Sequence, residues 1–274
     1  VRPPTTTTTD GVTAFDRDTA VEALGDGRYA GRFSPAWRVV RGPNGGYAAA
    51  VLVQAILAAV DDPTRQLRSL TVHYLRPPLE GDVEIAVTIE RSGRGMSTVS
   101  ARAVQEGKTV LLGLAALGGP YEGGIAYADA RPPDVPAPSE IPAPDSPLGF
   151  PDMPFRDHFE LRPALGPRVF SGQGPAVTGG WIRPRDARPL DAPLLVTLTD
   201  AWWPAPYGPA DRVLIAPTID LTVHLRAPLP RPHDDVLIEV RSDTAVDGYF
   251  EEDTRLFARD GTLLAHSRQL ALAL

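Results

Sequence analysis

Hydrophobic and polar positions along the chain fall into two similar blocks. In the first, residues 46–60 are almost wholly apolar, with Ala48, Ala49, Ala50, Val51, Leu52, Val53, Ile56 and Leu57 spread around a helical period. A helix that is apolar all round is a buried one. Pro43-Asn44-Gly45 precedes it, with Asn44 placed to cap the first turn. Val83, Ile85 and Val87 then alternate with polar residues, the period of a half-buried strand. Glu106-Gly107-Lys108 marks a hairpin feeding an apolar strand from Thr109 to Leu117. The second block repeats this order. The pattern predicts a helix from an N-cap at Asp191 through Leu194, Leu195, Val196 and Leu198 to Trp203, where Pro204 stops it. Val236, Ile238 and Val240 alternate, Asp260-Gly261 predicts a two-residue turn with positive φ tolerated at both positions, and an apolar strand runs from Thr262 to Leu274.

The blocks also share sequence. Leu70-Thr71-Val72-His73 recurs as Leu221-Thr222-Val223-His224, and Leu75-Arg76-Pro77-Pro78-Leu79 recurs as Leu225-Arg226-Ala227-Pro228-Leu229. The first match is offset by 151 residues and the second by 150, so one half has slipped by a residue, as a β-bulge allows. A repeat of helix, strands and hairpin in the same order argues for two copies of one unit. Residues 119–153, rich in Gly, Pro, Ala and Asp and without period, read as a stiff extended linker. The expected organisation is a first unit over 1–118, with a flexible tail over 1–12, then the linker, then a second unit over 154–274.

Composition narrows the function. Of the 274 residues, 43% are hydrophobic and 22% charged, which suits a folded globular chain rather than a disordered one. A net charge of −7 argues against a nucleic-acid groove or an anionic-membrane surface, since both want a basic patch. No run approaches the roughly 18 apolar residues that span a bilayer, and the N-terminal Thr/Pro tract lacks the apolar core of a signal peptide; a cytoplasmic protein is expected. The absence of cysteine excludes disulfides, thiolate metal sites and a cysteine nucleophile. His73, His158, His224, His233 and His266 lack metal spacing, so neither metal nor cofactor is expected. There is no Gly-x-Ser-x-Gly elbow, phosphate-binding Gly-rich Lys loop, complete dinucleotide fingerprint or His-Glu-x-x-His.

A set of segments resembles a known family. Gly42-Pro43-Asn44-Gly45-Gly46-Tyr47, Tyr74-Leu75-Arg76-Pro77-Pro78-Leu79 and residues 95–118 are similar to the N-terminal half of acyl-CoA thioesterase II proteins. Leu198-Thr199-Asp200-Ala201, Pro217-Thr218-Ile219-Asp220 and Asp260-Gly261-Thr262-Leu263-Leu264-Ala265-His266-Ser267-Arg268-Gln269-Leu270 are similar to its C-terminal half. The resemblance implies an α+β double hotdog: two tandem hotdog folds forming one long antiparallel sheet wrapped around two buried helices. It also implies that Asp200, Thr218 and Gln269 hold the hydrolytic water, that the substrate is an acyl-CoA or acyl-carrier thioester, and that the protein is a homo-oligomer, a dimer or larger. The chain departs from some family members in having Arg68 where they carry a His.

Read without the resemblance, the same residues leave choices open. Asp200 lies among Val196, Leu198, Ala201, Trp202 and Trp203, where an unpaired carboxylate would be costly or have its pKa raised. It serves either as a general base that orients water or as the partner of Thr197 or an arginine. Thr218 is a water ligand or an ordinary strand threonine. Gln269 shares a strand face with Ser267 and Ala271, either in a polar pocket or toward solvent at an edge. Asp220, two residues from Thr218, is the alternative acid, or a partner of Arg226. Backbone N–H groups at a helix start suit an oxyanion, with Gly46 and Tyr47 as candidates; Gly45-Gly46 equally suits close packing. Arg65, Arg68 and Arg76 are either contacts for CoA phosphates or solvated side chains. Two other functions fit the fold: a non-catalytic acyl-binding protein, and a hydratase or dehydratase, for which no Gly-Asp-x-Asn-Pro-x-x-His segment is present.

Overall fold

The computed structural model describes residues 11–142 and 153–274; most of the expected tail, and residues 143–152 of the expected linker, lie outside the described residues. The first block supplies β1 (Glu22–Gly25), β2 (Arg28–Phe33), β3 (Gln66–Tyr74), β4 (Gly81–Ser92), β5 (Met96–Gln105) and β6 (Lys108–Gly118). The second supplies β7 (Phe159–Leu165), β8 (Val177–Pro184), β9 (Thr218–Leu225), β10 (Val236–Arg241), β11 (Tyr249–Ala258) and β12 (Leu263–Leu272). These twelve strands form one antiparallel sheet in the order β1-β2-β4-β5-β6-β3-β9-β12-β11-β10-β8-β7. The order is a palindrome in which each strand of the first block answers to the strand six places later. Three helices, α1 (Ala14–Thr19), α2 (Gly45–Val60) and α3 (Ala192–Leu198), complete the main elements. One core cluster takes in α2, α3 and the inner faces of both halves of the sheet. This is the double hotdog expected from the resemblance. Among the described residues, no helix is long and apolar enough to cross a membrane.

The repeated tetrapeptides are the join. β3 pairs with β9 so that Leu70 faces Val223, Thr71 faces Thr222 and Val72 faces Leu221. The two threonine hydroxyls lie 3.0 Å apart, so a pseudo-twofold axis passes between them. Both strands carry a register shift at matching places, between Leu67 and Ser69 against β6 and between Thr218 and Asp220 against β12. The bulged residues, Arg68 and Ile219, are 151 residues apart. The one-residue slip between the repeats lies elsewhere: neither ladder breaks beyond His73 or His224, and the extra residue, Tyr74, is taken up where β3 ends.

Two local expectations are corrected. Glu106-Gly107 is the expected tight turn, with both residues at positive φ, but the turn at Asp260 is longer. There Gly261 N–H donates to Ala258 O and Ala258 N–H to Thr262 O, both at 2.9 Å. Only Gly261 takes positive φ, 83°, the pattern of a three-residue hairpin loop. The second helix stops at Leu198 rather than Trp203. Asp200 N–H and Ala201 N–H close tight turns onto Thr197 O and Leu198 O at 3.1 and 3.3 Å, while Asp200 O is taken by Asn44 Nδ2 at 2.8 Å. The residue four places on is Pro204, which has no N–H to continue the helix.

Other segments close the shell. Residues of the 119–142 stretch lie on the outer face of the second half, where Ala130, Val135 and Ile141 pack on Trp181, Leu237 and Phe257 and Trp181 Nε1 donates to Pro136 O at 2.9 Å. At the other end, Trp37 stacks between the Tyr47 ring, at 4.9 Å, and the His158 ring, at 3.8 Å, and its Nε1 donates to Asp18 Oδ2 at 2.8 Å. It ties the start of α2 to α1 and to the segment that leads into β7. Trp37→Ala is expected to cost about 3–5 kcal/mol, measured as a lower midpoint of urea unfolding; a loss under about 1 kcal/mol would show that this aromatic stack carries little of the fold.

Candidate functional site

Asn44 does two things at once. Its Oδ1 caps α2 by accepting from Tyr47 N–H at 2.9 Å, and its Nδ2 donates to Asp200 at both the backbone carbonyl, 2.8 Å, and the carboxylate Oδ2, 3.0 Å. Gly46 N–H donates to the same Oδ2 at 2.8 Å. The carboxylate of the second half thus sits on the N-terminus of the first half's helix, where orphan amides and the helix dipole favour negative charge. Glycine is needed for this approach: a Cβ on Gly46 would meet Thr197 O at 2.7 Å and Asp200 Cβ at 2.9 Å, and one on Gly45 would meet Asp200 Oδ2 at 2.9 Å. Close packing at Gly45-Gly46 is therefore against the turn after α3. Both amides considered as oxyanion donors, of Gly46 and Tyr47, are engaged within the protein.

Burial raises the Asp200 carboxyl to about 6, against the opposing pull of the Gly46, Asn44 and Gly45 donors. Tyr74, the residue inserted in the first repeat, donates from its hydroxyl to Gly45 O at 2.8 Å. Its pKa is raised by burial and by the charge of Asp200.

Thr218 and Gln269 come together on the inner face. Thr218 Oγ1 donates to Gln269 Oε1 at 3.3 Å, and Gln269 is only 5% exposed, so its amide does not face solvent. The bulge at Ile219 puts Thr218 there. Leu221, Val223 and Leu225 point inward, and regular alternation would send Thr218 outward with Asp220; the extra residue turns it in, opposite Ala271. Asp220 stays on the outer side of the strand and among the described residues makes no ion pair with Arg226. The strand is thus irregular at the point where Thr218 and Asp220 were expected to share a face.

The sequence reading missed Glu252. It is 4% exposed; its Oε1 accepts from Gln269 Nε2 at 2.6 Å and its Oε2 from Ala205 N–H at 2.7 Å. Burial raises it to about 7, with the charge of Asp200 adding to the rise, so the two carboxylates are electrostatic neighbours. Glu251-Glu252-Asp253 reads as a solvated charged run. The usable signal was alternation, since Phe250, Glu252, Thr254 and Leu256 share a face whose other members are buried. The structure therefore joins Thr218, Gln269 and Glu252 by hydrogen bonds, while Asp200 is linked to Glu252 by charge.

The arginines considered for CoA phosphates have partners in the protein. Arg65 bonds Asp62, Ser97 Oγ and Gly93 O, Arg68 donates to Gly118 O, and Arg76 to Thr109 O. Among the described residues, no cluster of His, Cys, Asp and Glu could hold a metal ion.

Residues 33–118 match the family model of the acyl-CoA thioesterase N-terminal domain, and residues 132–273 that of the C-terminal domain. An uncharacterised protein of Mycobacterium tuberculosis H37Rv is 27% identical over 272 residues, covering 89% of this chain and 90% of that protein. A hot dog fold protein of unknown function from Alicyclobacillus acidocaldarius is similar in structure, with a TM-score of 0.85 and 27% identity over 96% of this chain and 98% of that one. A Thermobifida fusca YX protein proposed to be a thioesterase II gives 0.82 and 28% with the same coverage. The acyl-CoA thioesterase II TesB2 of Mycobacterium marinum gives 0.76 at 21% identity, covering 95% and 98%, which is a likeness of fold.

The raised carboxyl of Asp200 has a stability consequence. A folded-state pKa above the unfolded value means that the native state binds the proton more tightly, so this group's contribution falls as pH rises from about 4 to 6. Asp200→Asn, which keeps an oxygen acceptor for Asn44 and Gly46, is expected to raise Tm relative to the parent at pH 8, with the gap narrowing toward pH 5. Thermal unfolding at both pH values checks this; a lower Tm for the variant at pH 8 would mean that the ionised carboxylate is a net stabiliser.

Proposed function

The chain belongs to the acyl-CoA thioesterase family, and from that premise we propose that it hydrolyses an acyl thioester of CoA or an acyl carrier by direct attack of water held by Asp200, Thr218 and Gln269. The observations that carry this reading are a buried carboxylate raised to about 6 and held at the N-terminus of the other half's helix, and its electrostatic coupling to Glu252, which is hydrogen-bonded to the inward Thr218–Gln269 pair. The bonds from Asn44 and Gly46 both fall on Asp200 Oδ2, so Oδ1 retains lone pairs for a water. A base with pKa near neutrality both holds its charge at working pH and takes a proton readily.

The chemistry balances with these groups alone. Water oxygen adds to the acyl carbon as one of its protons passes to Asp200. The tetrahedral intermediate then expels sulfur, and the proton on Asp200 goes to the departing thiolate, leaving free acid and thiol. A thioester carbonyl is electrophilic and thiolate leaves readily, so no covalent acyl-enzyme is required. An oxyanion role for the Gly46 and Tyr47 amides asks that Asp200 Oδ2 and Asn44 Oδ1 give way. Gln269 has a second Nε2–H, uncommitted among the described residues, that can donate without any displacement. A cytoplasmic, homo-oligomeric setting is part of the same proposal and is supported by the family resemblance.

The absence of cysteine makes a thiol-release assay clean. Across acyl-CoAs of increasing chain length, the parent is expected to release thiol and Asp200→Asn to lose about a hundredfold or more in kcat. In the parent, kcat/KM should fall as pH drops through about 6 to 7, as the coupled carboxylates take up protons. Equal activity in parent and variant would remove Asp200 from the chemistry. Silence of the parent on every acyl-CoA and acyl-carrier thioester would instead favour an acyl-binding protein.

A further inference from the structure

We infer that Glu252 is a positioning residue for this reaction: hydrogen-bonded to Ala205 N–H, it sets the direction of the bonds made by Gln269 and Thr218 and thereby the face that these two present to the water. The inference rests on the hydrolase reading given above.

An ionised carboxylate only accepts hydrogen bonds, whereas an amide or hydroxyl can point either way. Glu252 is thus the one side chain of the set whose polarity is fixed, and Ala205 N–H, which can only donate, matches it. Ala205 N–H donates to its Oε2 and Gln269 Nε2 to its Oε1. With its NH2 group turned to Glu252, Gln269 must offer Oε1 to Thr218, whose hydroxyl hydrogen is thereby spent. Thr218 Oγ1 can then only accept, and Gln269 retains one N–H to give. A water that donates one hydrogen to Thr218 Oγ1 and the other to Asp200 Oδ1 has its lone pair left for the acyl carbon. Both oxygens of Glu252 are occupied by donors, so it is not itself placed to take a proton from water. A proton on Glu252 would sit between two donors and break the chain.

The pseudo-symmetry supports membership of Glu252 in the site. The N-caps Asn44 and Asp191 correspond, as do the paired positions on β3 and β9 and their neighbours on β6 and β12. Carried across the axis, Asp200 answers to Val53, Thr218 to Leu67, Gln269 to Ala115 and Glu252, paired with Gln269, to Val99, paired with Ala115. All four counterparts are buried and apolar, none more than 2% exposed. A buried carboxylate is costly, and the half without the other three polar residues has none at this position.

Glu252→Gln tests the inference, because a glutamine cannot accept from both Ala205 and Gln269 without an amide facing an amide. Gln269 is then expected to flip, and kcat for thiol release to fall about tenfold or more with KM within about threefold. In a Gln269→Met background the same change should alter kcat by less than about twofold, since Glu252 acts only through Gln269. Multiplying effects, or a kcat for Glu252→Gln within about twofold of the parent, would overturn the inference. Should Glu252→Gln not fold, the Gln269 side-chain amide of the parent decides by NMR: one slowly exchanging, carboxylate-bonded N–H is expected, and a freely exchanging NH2 would overturn it. An inactive parent sinks the hydrolase reading, whereas an active parent with an unaltered Glu252→Gln sinks this inference alone.

Discussion

The pairing of β3 with β9 is the constraint on which the rest of the molecule depends. It joins two hotdog units edge to edge through their most alike segments, Leu70-Thr71-Val72-His73 and Leu221-Thr222-Val223-His224. Antiparallel pairing of identical segments generates a twofold relation without further instruction, and with register fixed by one buried face it leaves no freedom to slip. That relation carries α2 of the first half to the turn after α3 of the second. The carboxylate of Asp200 and the amides of Asn44 and Gly46 come from opposite halves, so neither half alone holds the arrangement.

Symmetry then makes the differences informative. Both halves bulge at the same point of the central strand, so the backbone offers two equivalent inward positions. One holds Leu67 and the other Thr218, and the substitution recurs at every matched position of the site. The polar set is costly to bury and is tolerated once, where α2, the longer helix, supplies donors to one carboxylate and Glu252 satisfies the amide of Gln269. The second location is closed by apolar side chains and contributes to the core. The proposed site takes its acid and amide from one half and its helix N-terminus from the other.

Much of this was legible in the sequence, for physical reasons that also mark where it stops. The wholly apolar stretch of α2 and its Asn44 cap are local signals and stand as read. The repeat showed two copies of one unit, and the family resemblance implied the single sheet that joins them. The second helix was read five residues too long, since Trp202 and Trp203 continue an apolar run; what ends it is Asn44, 156 residues away in sequence, and a missing N–H at Pro204. The face of Thr218 depends on a bulge that no local pattern announces, and the same bulge sends Asp220 outward. Glu252 was hidden in an acidic run, although the Phe250 and Leu256 alternation held its face. Apart from Asp62, three residues before Arg65, the partners of Arg65, Arg68 and Arg76 are groups that only the folded chain brings within reach.

In the proposed reaction water, and no protein side chain, attacks the acyl carbon. The test is a single turnover with enzyme in excess over an acyl thioester in H2(18)O, with the mass of the protein followed through the turnover. Direct attack gives one 18O atom in the free acid from the first turnover, with neither 18O nor an acyl adduct on the protein. Unlabelled acid from that turnover, with 18O appearing in the side chain of Asp200, would show attack by the carboxylate through an acyl anhydride and would contradict it.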